Sequence, residues 1–392
     1  MASYVPHTPT DRAIMLEKIG VEKISDLFDV PKGCEADLRL EKGKSPLEVE
    51  RLIAALGAKN KVFDTVFLGA GAYNHYIPPV VRELASREEF VTAYTPYQAE
   101  MSQGILQSIF EYQTAICNLT GMDASNASHY DGATATADGI LMCMGNKSKA
   151  VVSDGLNPEY KRVIETYLVP HGIEVVYAPL RNGVTDEDAL KELIDSEVGA
   201  VCIAQPNYFG LIEDAGKTGK IAHDGGAKFV MACYPVALGI LRTPGECDAD
   251  VATGEGQSLG LPLAFGGPYL GLLACKENMM RKLTGRIVGE TVDHDGRTAY
   301  VLTLQAREQH IRREKSTSSI CSNEALCALT SAIYLSATGK EGIKEVASQC
   351  ASKAHYMAEE ISRIKGFGLK YKGEFFNEFV TESDVDTSKI VD

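Results

Sequence analysis

The densest run of chemistry-bearing side chains lies between Gln305 and Asn323, QAREQHIRREKSTSSICSN. Arg307, Arg312, Arg313 and Lys315 precede four hydroxyl residues, Ser316, Thr317, Ser318 and Ser319. Cationic side chains beside hydroxyls and the free N–H groups of a helix start suit a phosphate or a carboxylate. The competing reading is a solvated basic helix followed by its N-cap. In a chain of formal net charge -14 this local positive excess favours the anion site. His75 stands between Tyr73 and Tyr76, and His129 precedes Asp131-Gly132-Ala133-Thr134. A lone imidazole in such settings is more often a satisfied structural group than a reacting one. Tyr94, Tyr97 and Gln98 share the extended segment YTPYQ, where packing and site lining stand as equal readings.

A second stretch, DVATGEGQSLGLPLAFGGPYLG (Asp250 to Gly271), carries Gly254, Gly256, Gly260, Gly266, Gly267 and Gly271. Such density marks backbone that needs positive φ or comes close to a ligand or another chain. Leu259, Leu261, Leu263, Phe265 and Leu270 are threaded between the glycines, which argues against a plain surface loop.

Other chemistries are excluded by spacing. Gly210 to Thr218 places five residues between the glycines of a G-x-x-x-x-G-K-[ST] phosphate loop that needs four. GEGQSLG is not the dinucleotide spacing G-x-G-x-x-G, and it comes late in the chain. The 10 cysteines are scattered singly, with no zinc-site spacing, and no metal site is expected. Free core thiols fit a reducing cytoplasm. The acidic balance argues against a nucleic-acid surface, no run approaches a membrane span, and the N-terminus lacks a secretory apolar region.

The elements that must position these residues follow from periodicity. Residues 1–60 read as an N-terminal helical arm, with helices at DRAIMLEKIG and at SPLEVERLIAALG, where Pro46 opens the first turn. The arm is too small for its own core and is expected to pack on the main body or on another subunit. Residues 61–330 read as a large α/β domain. FLGAGAY predicts a glycine turn, and Ile105, Ile109, Tyr112, Ile116 and Leu119 form one face of an amphipathic helix. Strands at AVVSDG, IEVVYAPL, AVCIAQP, KFVMACYP and LGLLACK alternate with short helices. That alternation predicts a mostly parallel sheet covered on both faces. Helices are expected over 304–338 and 341–365. Residues 331–392 read as part of a small α+β domain, with a hairpin at FGLKYKGEFFNEFVTES. DVDTSKIVD reads as a capped helix start, so that domain is expected to be incomplete.

The order of GAGAYNHYIPP, AYTPYQAEMSQGILQ, DGATATADG, GEGQSLGLPLAFGGPYLG, LQAREQHIRREKSTSSICS and KGEFFNEFV resembles the P-protein family of the glycine cleavage system, and within it the α subunit of the two-subunit glycine decarboxylases. The resemblance spans about residues 1–380 and departs at Ser319, where the family pattern has Asn. It implies the α/β fold of pyridoxal-phosphate transferases, aminotransferase fold type I. In the sister subunit the central loop reads H-K-T-F-x-I-P-H-G-G-G-G-P, the lysine holding the cofactor. Registering Pro262 and Gly266-Gly267-Pro268 on that pattern puts Gln257 at the lysine position. An amide nitrogen is not a nucleophilic amine and cannot take that role. The strand KFVMACYP offers Ala232, Cys233 and Tyr234 where such enzymes place an acid against the pyridinium nitrogen.

What the resemblance implies is therefore half of an enzyme. No residue of this chain alone is expected to be catalytic. Pyridoxal 5'-phosphate is expected on a partner β subunit in an α2β2 assembly. Glycine loses CO2 there, and the aminomethyl group passes to the lipoyl group of the H-protein. His75, Tyr94, Tyr97 and Gln98 are the candidates facing glycine. Ser316, Thr317 and Ser318 are those for the partner's cofactor phosphate. Arg312, Arg313 and Lys315 are anion contacts or an attraction for the lipoyl domain. The alternatives are a purely structural scaffold for the β subunit and an independent pyridoxal-phosphate enzyme.

Overall fold

The computed structural model describes residues 7–29, 34, 39–66, 71–91, 94–386 and 388. The chain divides into two compact units, residues 1–67 and 68–392. The expected turn at 67–71 and the expected helix start at 384–392 lie mostly outside the described residues.

The first unit contains α1 (Pro9–Ile19) and α2 (Pro46–Gly57). Each opens on a capping box, Thr8 with Asp11 and Ser45 with Glu48, followed by proline in the first turn. Neither helix buries a side chain, and Leu52, Ile53 and Leu56 of α2 remain exposed.

The second unit is built in the chain order α3 (Pro79–Ala85), α4 (Gln103–Thr120), β1 (Ala124–Ser125), α5 (Gly132–Met144), β2 (Lys149–Ser153), α6 (Pro158–Leu168) and β3 (Glu174–Ala178). A two-residue ribbon, β4 (Leu180–Arg181) with β5 (Val184–Thr185), leads to α7 (Glu187–Leu193), β6 (Val198–Gln205), α8 (Ala215–Asp224), β7 (Lys228–Cys233), β8 (Val251–Glu255) and β9 (Gly271–Cys275). The main sheet runs in the order β1-β9-β8-β7-β6-β2-β3. Strands β3, β2, β6, β7 and β8 are parallel, while β9 and β1 close one edge antiparallel. Alternate residues feed opposite faces, as a pleated strand requires. Val152, Cys202 and Val230 pack with α5 and α6, whereas Val151, Val201, Ile203, Phe229 and Met231 pack with α7 and α8.

The α5 helix occupies the predicted residues, and four of the five predicted α4 face residues are buried, with Leu119 half-buried. The glycine-rich stretch differs from its sequence reading, because its first part is the central strand β8. Within it, Gly254 lies so close to β7 that a Cβ there would meet the Cys233 carbonyl at 2.4 Å. A Cβ on Gly271 would meet the His129 Cβ at 2.5 Å, and Gly260 holds φ +92° with Tyr334 2.7 Å from its would-be Cβ. Only the following residues, 256–270, form the connection to β9.

An antiparallel hairpin, β10 (Ile287–Val292) with β11 (Thr298–Thr303), was not expected. It is held onto α4 by glutamine amides that imitate a neighbouring strand. Gln113 accepts from the Val288 N–H and donates to its carbonyl, both at 2.9 Å. Gln103 does the same with Tyr300.

The helix expected over 304–338 is also corrected. Residues 305–315 form separate short turns, including α9 (Gln309–Arg312), and 316–324 run without helix. Positive φ at Leu304, Arg313 and Asn323 breaks helical continuity. The long helix α10 begins only at Ala325 and continues to Ser362, with non-helical backbone at Gly339. The hydroxyl run is therefore not at a helix start. At the C-terminal side, β12 (Phe367–Leu369) pairs antiparallel with β13 (Thr381–Ser383).

Candidate functional site

The parallel strands β6, β7 and β8 end together, and a cavity of about 450 Å³ opens at their carboxyl ends beside the start of α5. In open α/β sheets this is where ligands bind. Its wall carries Asp131, Glu159, Glu255 and Glu378 with Tyr73 and Tyr160. Among the described residues, no Lys, Arg or His borders it.

Two features lie at this end of the sheet. Gln257, just past β8, is fully buried. Its Nε2 donates to the carbonyls of Tyr73 (3.0 Å) and Leu261 (2.8 Å), and its Oε1 accepts from the Tyr73 N–H (2.9 Å). The amide is wholly engaged in pinning backbone. The first turn of α5, a natural anion site, is also filled from within the chain. Gly132 N–H donates to Glu255 Oε2 (2.9 Å) and Thr134 N–H to Asp131 Oδ1 (2.8 Å). Glu255 also accepts from the N–H groups of Gln257 and Leu270, yet burial raises its carboxyl to about 7.

Pyridoxal phosphate does not fit this lining. Among the described residues it holds no lysine amine, and Ala232 and Cys233 supply no acid at the end of β7. Gln257 itself is buried and not among the lining residues. Carboxylates stand where a phosphate would need donors.

The sequence-predicted residues fall into separate places. His75 is half-buried, and both ring nitrogens are engaged. Nδ1 meets the Tyr73 carbonyl at 3.2 Å, and Nε2 accepts from the Gly260 N–H at 3.1 Å. That pattern fixes the neutral tautomer with its hydrogen on Nδ1, and burial lowers the imidazole's affinity for a second proton. Tyr94 is exposed, its hydroxyl accepting from Ser322 at 3.0 Å. Tyr97 is half exposed and meets Arg286, its hydroxyl 2.7 Å from Nη2. Gln98 is exposed.

The basic segment lies elsewhere in the same unit. Arg312, Thr317 and Ser318 border a cavity of about 240 Å³ together with Arg281, Lys282 and Arg307. Buried nitrogens of Arg307, Nε and Nη2, lack hydrogen-bond partners there. The Ser318 hydroxyl donates to Asp138 (2.7 Å), which also receives His129 Nε2 (2.9 Å). His129 is thus a satisfied structural histidine, fully buried, with Asn126 on its other nitrogen at 2.8 Å. The Ser316 hydroxyl closes onto the Arg313 carbonyl (2.9 Å). Arg313 borders a third cavity, and Lys315 is exposed. Sequence reasoning missed Arg281, Lys282 and Arg286. The run RKLTGR preceding β10 was the available signal, and it carries three cations in six residues.

The chain matches the family model for the glycine cleavage system P-protein over residues 2–391. It belongs to the P-protein family. It is 50% identical to the probable glycine dehydrogenase (decarboxylating) subunit 1 of Desulfitobacterium hafniense, covering 99% of this chain and 89% of that protein. A crystal structure of glycine decarboxylase (P-protein) of the glycine cleavage system, in inhibitor-bound form, superposes with a TM-score of 0.92 at 43% identity. It covers 99% of this chain and 89% of that one. The sphingosine-1-phosphate lyase of Burkholderia pseudomallei, 15% identical, matches with a TM-score of 0.65 over 92% of this chain and 83% of its own. The latter likeness shows the fold alone, which is the α/β architecture of pyridoxal-phosphate enzymes of fold type I. P-protein membership assigns the chain to glycine decarboxylation within glycine cleavage. Among the described residues no helix is long and apolar enough to cross a membrane.

Proposed function

We propose that this P-protein chain is the subunit that does not anchor the cofactor, and that it completes the active site of a second, cofactor-bearing subunit. The observation that carries this reading is the engagement of Gln257 with Tyr73 and Leu261 at the position registered to the lysine. Occupation of the α5 N-terminus by Glu255 supports it. Bound on the partner, pyridoxal phosphate supplies the electron sink for the electrons left when CO2 departs from glycine.

This chain's part is positional and electrostatic. Tyr94, Tyr97 and Gln98 present exposed polar groups for the wall on the glycine side. Arg312, Thr317 and Ser318, with Arg281, Lys282 and Arg307, present cations and hydroxyls to an anion. In the assembled enzyme that anion is the partner's cofactor phosphate, or the acidic surface of a lipoylated H-protein to which the aminomethyl group passes. An α2β2 assembly in the cytoplasm is the arrangement this reading uses.

A scaffold-only role is the second reading. It is favoured by His75 and Gln257, whose polar atoms are all engaged within the chain. Glycine-dependent CO2 exchange with each subunit omitted in turn tests the proposal. Activity of the second subunit alone equal to that of the complex would remove it. Tyr97→Phe separates the two readings: full turnover in assembled complex leaves only the scaffold.

A further inference from the structure

Arg286 is only 2% exposed and lies just before β10. Its Nη2 donates to the Tyr97 hydroxyl at 2.7 Å, and the guanidinium carbon sits 4.9 Å from the Tyr97 ring centroid. The same nitrogen is 3.8 Å from the Cys321 sulfur. Nε and Nη1 have no hydrogen-bond partner. The Glu308 carboxylate stands 3.8 Å from Nε, beyond hydrogen-bond reach, with its own Oε1 unpartnered. Unused donors on a buried cation are costly unless something fills them. A cavity of about 380 Å³ opens beside them, bordered by Arg286, Glu308, His310, Arg313, Ile320 and Cys321.

We infer that this cavity receives a monoanionic carboxylate, held by Arg286, with the Tyr97 hydroxyl bonded to that guanidinium just outside the lining. The Tyr97 oxygen accepts from Arg286 and its proton is shared with the Cys321 sulfur, so it reaches an incoming carboxylate by turning from that sulfur. Arg286 Nη1 is buried and keeps both hydrogens without a partner. Glu308 lies close enough to offset part of the guanidinium charge, and Glu314 is nearby on the same segment. Arg286 and Arg313 stand against Glu308 and Glu314 at this cavity, so the lining has no surplus positive charge to hold a phosphate dianion, and a monoanionic carboxylate is the smaller charge to place there. The carboxylate comes either from a free amino acid or from a side chain of a second subunit. Choosing between these sources rests on Tyr97 belonging to a shared site, but the anion chemistry does not.

Cys321 reports on the cavity. It is exposed, and its hydrogen bond from Arg286 holds the thiol below its ordinary range. Its sulfur displaces iodide from iodoacetate and from iodoacetamide, reagents of similar size that differ in charge. The ratio of the two rates at Cys321, read by peptide mass spectrometry, cancels any change in thiolate fraction. Arg286→Gln is expected to lower the iodoacetate-to-iodoacetamide ratio about tenfold. Arg286→Lys should retain much of it, and Tyr97→Phe should lower it less. Acetate should slow the iodoacetate reaction of the native chain. An unchanged ratio in Arg286→Gln, or no protection by acetate, overturns the inference. Should Arg286→Gln fail to fold, Tyr97→Phe and acetate protection decide it in the same way. In complex with the second subunit, protection by glycine assigns the carboxylate to the free amino acid. Protection by assembly alone assigns it to the partner. Subunit-omission activity is read separately, so the proposed function and this inference fail independently.

Discussion

Gln257 and Tyr73 exchange two hydrogen bonds across 184 positions of sequence, the side-chain amide of one answering the backbone N–H and C=O of the other at 2.9 and 3.0 Å. This pairing places the segment entering α3 against the end of β8 and leaves no polar atom of Gln257 for a ligand. Restoring a lysine should therefore not restore a cofactor site. Gln257→Lys removes the acceptor for Tyr73 N–H and buries an ammonium. The expected loss is about 1–3 kcal/mol for the unsatisfied group alone. Urea denaturation measures it. A borohydride-fixable absorbance band near about 410–430 nm on the variant chain alone, the usual cofactor range, would contradict the reading.

Glu255 gives a pH signature. Burial raises its carboxyl from an ordinary 4.5 to about 7. Between those values the folded chain holds a proton that the unfolded chain has released. The group's contribution to stability therefore falls as pH rises through that window, and is level above it. The native protein's stability relative to Glu255→Gln should drop by about 3 kcal/mol from pH 4.5 to 7.5. Taking the difference removes the shared titration of the other carboxyls and of His75. A pH-independent difference would show that Glu255 is not raised.

His75 makes the opposite prediction. Burial lowers its imidazole below the ordinary value of 6.5. The stability it contributes is present above that value and is lost as pH falls below it. A protonated ring cannot accept from Gly260 N–H. His75→Phe should speed hydrogen exchange at the Gly260 amide by about tenfold at neutral pH. Equal exchange in both proteins would mean the contact does not restrain the loop.

Neighbouring hydroxyls are expected to separate by role. Ser318→Ala strips a partner from the buried Asp138 carboxylate and should cost about 1–2 kcal/mol. Thr317 is exposed at the basic cavity, and Thr317→Ala should change stability by no more than about 0.5 kcal/mol. In the assembled complex Thr317→Ala should weaken cofactor retention. Equilibrium dialysis of the complex measures it, and unchanged affinity would take the phosphate role away from Thr317.

Local periodicity carried far in this chain. The α5 helix, the α4 face and the five predicted sheet strands follow from side-chain spacing, because alternation and the 3.6-residue turn are properties of neighbours in sequence. What failed depends on distant partners. Strand β8 is not legible from periodicity because its one glycine, Gly254, answers the Cys233 carbonyl on β7, and its other neighbour is the strand β9. The hairpin β10–β11 is held by Gln103 and Gln113 from α4. The run from Gln305 to Lys315 carries helix-forming residues, yet three positive-φ positions around it bend the chain away.

Residue identity alone settled that position 257 carries an amide and the end of β7 carries no acid, since a missing functional group cannot be supplied by folding. It also placed the family segments in order. Only the tertiary structure could show where Gln257 and His75 direct their polar atoms, that Glu255 fills the helix start at Gly132, and that Arg286 meets Tyr97 with donors left over. Those are matters of burial and direction, fixed by side chains far apart in sequence arriving within hydrogen-bond distance.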